Sequence, residues 1–216
     1  MTKTPSTWRR GYDDVAPIEI RDPVAEVLGV LPEGEPFRFE YTDVVRIAGH
    51  SCPAAAGAYR VTRKGLDALF QEVYPVRSRI AVDVGASRDS HPAGVIARLV
   101  SAVTGASGPD GFGGLGEGYG DRANLLTYGT RSGEGLRFGF QRTDTAEAVE
   151  VTYFLSDVPE PGDGVAHLPA VIDGSADPER RREFEEAWHD RVAAVLTDDG
   201  LFDVERIEPF RAEAKD

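Results

Sequence analysis

Hydrophobic and polar positions follow two periods along the chain. Phe37, Phe39 and Tyr41 are separated by Arg38 and Glu40, the period-two pattern of a strand with one buried face. Arg79–Val84 alternates in the same way, and Phe202–Ile207 reads as a short strand returning to the sheet. Ala123–Tyr128, Leu136–Gln141 and Val149–Leu155 are three further strands, and Thr130–Glu134 reads as a hairpin-like turn, so an antiparallel meander is expected. Val44, Val45 and Ile47 fit a strand or a helix.

Helical spacing appears elsewhere. Asp22-Pro23 is an N-cap followed by proline, with Val24, Val27 and Leu28 behind it. Ser51 is a second N-cap candidate, and Ala54–Tyr74 carries Ala58, Val61, Leu66, Leu69 and Phe70 without an internal proline. Pro92–Val103 is apolar at Val95, Ile96, Leu99, Val100 and Val103, and Gly105 is a natural C-cap. Asp177-Pro178 opens a last helix striped by Phe184, Trp188, Val192 and Val195. These elements predict an α+β fold, with an antiparallel or mixed sheet packed against two buried helices plus a C-terminal helix. The core spans residues 18–158. Residues 1–17 are expected to fray, although Trp8 and Tyr12 offer anchors, and residues 159–216 supply a connector, the helix and the short strand.

Composition narrows the function. The chain has 216 residues, 41% of them hydrophobic, enough for one core. A formal net charge of −13 disfavours nucleic acid as a partner. The single cysteine excludes an intramolecular disulfide and a four-cysteine zinc site within one chain. Residues 1–14 hold no apolar run like that of a signal peptide, and no stretch approaches the roughly 18 apolar residues that span a bilayer. A cytoplasmic protein with no membrane partner is expected.

The candidate chemistry lies at Ala48-Gly49-His50-Ser51-Cys52-Pro53. A cysteine in the first turn of a helix meets the partial positive charge of the unpaired amides, a setting for a metal ligand or a nucleophile. His50 lies just upstream, and a nitrogen with a sulfur donor suits zinc or a similar divalent transition metal. A catalytic metal takes about three protein ligands. His91 is the first candidate for the third, with Asp43, Asp89 and Tyr41 behind it. The same pair also fits a thiol-dependent enzyme, with Cys52 as nucleophile and His50 as base. The plain alternative is a small buried cysteine beside a turn histidine.

Between Gly108 and Gly120 lies a glycine-dense run that cannot hold regular structure. No lysine-threonine pair follows it, so it is no phosphate cradle. It is a surface loop or a lid over Cys52, and Phe112, Leu115 and Tyr119 are then candidate walls for a bulky cofactor such as haem. His167 and His189 read as surface histidines. The run Glu179–Glu183 reads as a solvated helix face. Neither a Gly-x-Ser-x-Gly elbow nor a His-Glu-x-x-His motif occurs.

Residues 48–60, Ala-Gly-His-Ser-Cys-Pro-Ala-Ala-Ala-Gly-Ala-Tyr-Arg, resemble the Gly-His-x-Cys-Pro-Gly-x-x-x-Gly-x-Arg signature of the FmdE-like family of formylmethanofuran dehydrogenase proteins. Thr104-Gly105, the glycine-rich run and Asn124-Leu125 are similar to its continuation, so the likeness covers roughly residues 37–156. It implies an α+β core, a homodimer and a metal near His50 and Cys52. Arg60 matches the signature's arginine, which anchors an anionic small-molecule ligand or pairs with a surface acid. Ala48 and Ala106 stand where family members often carry histidine and cysteine.

Overall fold

The computed structural model describes Tyr12, residues 15–129 and residues 133–211. Strand β1 (Ile18–Ile20) pairs antiparallel with β2 (Phe37–Phe39) in a small sheet, and α1 (Pro23–Val27) lies between them in sequence. Asp22 caps α1 by accepting the Val24 N–H at 3.1 Å. The same carboxylate takes two hydrogen bonds from Arg122, each 2.7 Å, and has Arg77 at 3.5 Å. One buried acid thus joins a helix start to two distant arginines.

Next come α2 (Tyr41–Ala48), α3 (Pro53–Leu69), β3 (Ile80–Val84), α4 (Ala93–Thr104), β4 (Leu126–Tyr128), β5 (Leu136–Arg142) and β6 (Ala148–Tyr153). The chain closes with α5 (Leu168–Asp173), α6 (Pro178–Thr197) and β7 (Phe202–Ile207). The large sheet has the order β4-β3-β5-β6-β7, with β3 and β4 parallel and every other pair antiparallel. It is therefore a mixed sheet in an α+β fold.

Register divides the sheet into two faces. Val82, Phe140 and Val149 lie in one row, and Val84, Phe138 and Val151 in the next. All six are buried in the core that includes α3 and α4 residues. The other face carries Asp83, Gln141 and Glu150, which are also buried. Such groups need partners: Asp83 accepts from Thr127 at 2.7 Å, and the Gln141 carbonyl accepts the N–H groups of Phe210 and Arg211.

Helix α3 lies flush on the sheet because it presents no side chain at two points. A Cβ at Gly57 would fall 2.2 Å from the Tyr153 ring, and one at Gly65 2.5 Å from the Phe140 ring. Tyr153 pairs with Leu136 and Phe140 with Val82, so α3 runs opposite to β3 and begins near the end of that strand. Helix α4 is anchored the other way. Arg77, just before β3, donates to the Ala102 and Val103 carbonyls, which places the end of α4 by the start of β3.

Several local expectations change. The stretch around Val44 is helical, as α2, and α3 stops at Leu69 rather than Tyr74, where Phe70 leaves the helical region at φ −124° and ψ 71°. Strand β4 does not neighbour β5. It pairs in parallel with β3 across α4, so of the expected meander the antiparallel β5–β6 pair is present while β4 enters by a crossover, and residues 130–132 of the supposed hairpin turn lie outside the described residues. The connector after β6 contains α5, which its proline and glycine content had hidden.

Candidate functional site

The turn between α2 and α3 is built by two backbone devices. Gly49 ends α2 in the left-handed region at φ 77° and returns its N–H to the Val45 carbonyl, reversing the chain within a few residues. Cys52, not Ser51, is the N-cap of α3. Its extended backbone aims Sγ at the Ala55 N–H, 3.4 Å away, so sulfur occupies the place a cap oxygen usually takes. Ser51 is left to bond elsewhere.

Four aromatic side chains from separate parts of the chain bring their polar ends to residues 51–53. The Ser51 hydroxyl is hydrogen-bonded by Tyr12 at 3.1 Å and by Tyr41 at 2.9 Å. Trp188 on α6 donates its indole N–H to the Ser51 carbonyl at 2.8 Å, and Tyr153 donates to the Pro53 carbonyl at 3.2 Å. Tyr12 and Tyr41 meet edge to face at 4.9 Å, and Tyr41 meets Tyr59 in the same manner at 5.7 Å. Burial holds the Tyr41 and Tyr153 phenols well above the ordinary tyrosine range, with Cys52 adding to the effect at each. Both phenols keep their protons, and Tyr153 must donate because the Pro53 carbonyl only accepts. Burial likewise pushes Tyr59 up to about 12.

His50 stands at the exposed tip of the turn, with Nδ1 3.0 Å from the Ala48 carbonyl oxygen. A carbonyl only accepts, so Nδ1 carries the proton and Nε2 keeps its lone pair in the neutral ring. Among the described residues no hydrogen bond joins His50 to Cys52, so the thiol–imidazole contact of a nucleophile and its base is not formed.

The remaining sequence candidates go to other places. Arg60 points toward the C-terminal segment, where it donates to the Leu196 carbonyl and Asp199 and lies over the Phe202 ring at 5.4 Å. It pairs with an acid and bridges α3 to the α6–β7 junction instead of facing the Cys52 turn. The glycine-rich run leaves the far end of α4, opposite the Cys52 end. Arg122 covers Phe112 at 5.5 Å, Leu115 bridges to Tyr119, and Gly120 packs on Val24 of α1. Phe112, Leu115 and Tyr119 therefore form no wall or lid at Cys52.

His91 lines a groove beside α4. Among the described residues no group of three His, Cys, Asp or Glu side chains is placed to hold a metal ion, so His91 does not complete a triad with His50 and Cys52. Asp43 is engaged as well, accepting the Glu40 N–H at 2.9 Å and pairing with Arg46. The donor types at the turn suit zinc, and among the described residues the turn supplies two of them.

Sequence reasoning missed Tyr12, Tyr153, Trp188 and His189 as members of this site. His189, half-buried on α6, lies 3.4 Å from the Tyr12 hydroxyl. The apolar stripe containing Trp188 was the available signal, since a buried indole seeks an acceptor. In comparisons with known proteins, the chain matches no family model and no curated sequence.

Proposed function

We propose that this is a metal-binding protein that holds a divalent transition metal, zinc foremost, on the α2–α3 turn through Cys52 Sγ and His50 Nε2. The observation that carries the reading is the bond from His50 Nδ1 to the Ala48 carbonyl. A metal-bound histidine characteristically donates its other ring N–H to such an acceptor, which fixes the tautomer and aims the free nitrogen outward. The sulfur is held in place by the Ala55 N–H, and four aromatic anchors keep the turn rigid.

Zinc takes four ligands in a closed site. The exposed position of His50 leaves room for the other two to come from outside the chain, and a second copy meeting the first about a twofold axis supplies the same cysteine and histidine again. Bound in this way, the metal supplies a fixed cross-link in a homodimer.

Cobalt(II) is the test, because its bond to sulfur absorbs light. Wild-type protein is expected to show a sulfur-to-cobalt band and to run as a dimer in size-exclusion chromatography with metal. Cys52→Ala should abolish the band. His50→Ala should weaken cobalt binding by more than the roughly 10–100-fold that loss of an outer-sphere partner costs. A His50→Ala/Cys52→Ala variant that keeps wild-type cobalt stoichiometry would falsify the reading. Cobalt bound without dimerisation would overturn the second copy as the source of the other ligands.

A further inference from the structure

A groove of about 730 Å³ runs between edge strand β4 and helix α4. Leu126 and Tyr128 of β4 form one wall, and Val95 and Arg98 of α4 form the other. The loop carrying Arg88, Asp89 and His91 closes one end, and residues 107–111 close the other. The loop is pressed onto the helix because residue 94 is glycine: a Cβ there would lie 2.4 Å from the Arg88 carbonyl oxygen.

Among the described residues, neither Arg88 nor Arg98 has a hydrogen-bond or ion-pair partner, and the half-buried Tyr128 hydroxyl has none either. Elsewhere on the same chain, Arg21, Arg60, Arg77, Arg122, Arg137 and Arg142 are all paired with acids. Arg88, Arg98 and Tyr128 line the one groove, together with Asp110.

We infer that this groove binds a small phosphomonoester whose phosphoryl group is held by Arg88 and Arg98 and whose body lies against Tyr128, Leu126 and Val95. Guanidinium groups match phosphate oxygens with paired, charge-assisted hydrogen bonds. The net charge of −13 repels a long polyanion but leaves a single phosphate able to bind a local pair of cations. Two aspartates set what the rest of the ligand must offer. Asp89 is held by the Ser87 hydroxyl at 2.7 Å, and Asp110 stands at the other end of the groove. Both can only accept when ionised, so they select hydroxyl or amino groups on the ligand's body, as on a sugar or a nucleoside. The inference is independent of the metal reading, since neither His50 nor Cys52 lines the groove.

Calorimetric titration with a nucleoside monophosphate, a hexose phosphate, inorganic phosphate and the unphosphorylated nucleoside is the test. At least one phosphomonoester should bind wild-type protein more tightly than both inorganic phosphate and the nucleoside. Arg88→Ala and Arg98→Ala should each weaken that binding about 10-fold, the scale of a hydrogen bond to a charged group. Both arginines are exposed and unpaired, so the double variant should keep the wild-type denaturation midpoint and cobalt band. His50→Ala/Cys52→Ala should retain phosphomonoester binding. Absence of binding by both phosphomonoesters, preference for the nucleoside, or wild-type affinity in the arginine double variant would each overturn the proposal.

Discussion

A methyl group at Gly57 would collide with the ring that also donates a hydrogen bond to Pro53, so this residue sets how closely the Cys52 turn approaches the sheet. Helix propensity alone favours alanine over glycine by about 1 kcal/mol. Overpacking against a buried ring costs about 1–3 kcal/mol. Gly57→Ala is therefore expected to lower stability in urea denaturation, and a stabilised variant would show that Tyr153 yields easily. The same scale explains what the sequence left hidden. Proline at position 53 and the preceding polar residues announced the helix start, but Ser51 is the stronger capping type, and only the drawn-in Tyr12 and Tyr41 hydroxyls show why it is used elsewhere.

At the scale of elements, the capping role of Cys52 seen in the structure and the donor role proposed for it can be separated. As the cap of α3 it is replaceable by serine, a better capping residue, whereas as a sulfur donor it is not. Cys52→Ser should leave the denaturation midpoint unchanged or slightly raised while removing the cobalt band. A large loss of stability instead would mean that packing of the half-buried sulfur against the core dominates. The helices α3, α4 and α6 were legible because apolar spacing and terminal prolines act within one segment. Strand order was not. Leu126–Tyr128 looks like any other short strand, and its choice of β3 over β5 depends on α4 as the crossover, a long-range constraint with no local periodicity.

For the whole molecule, the excess of acids is managed by pairing. Hydrogen bonding to Arg142 holds the Asp144 carboxyl below its ordinary range, and Arg21 does the same for Glu26. A folded-state pKa below the unfolded one adds stability above the unfolded value, and that stability is lost as pH falls through the folded value. Asp144→Asn is thus expected to be less stable than wild type at neutral pH, with the difference closing as the pH falls through the lowered value of the folded Asp144 carboxyl, in urea midpoints measured against pH. A constant gap would contradict the pairing. The candidate site was half legible for a related reason: His50 and Cys52 are two residues apart in sequence, whereas Tyr153 and Trp188 reach the turn only through the packing of β6 and α6 on α3.

Among the described residues the large sheet ends at two margins. One is β4, only three residues long, where the Leu126 N–H is already taken by the Ser107 carbonyl, and the other is β7, which exposes Asp203 and Glu205 to solvent. A second copy trying to continue the hydrogen-bonded ladder along β7 would bring like charges face to face. Growth into a ribbon or fibril is thereby discouraged at that margin, which leaves the α2–α3 turn, where His50 is exposed, as the face on which the proposed metal-linked dimer would form.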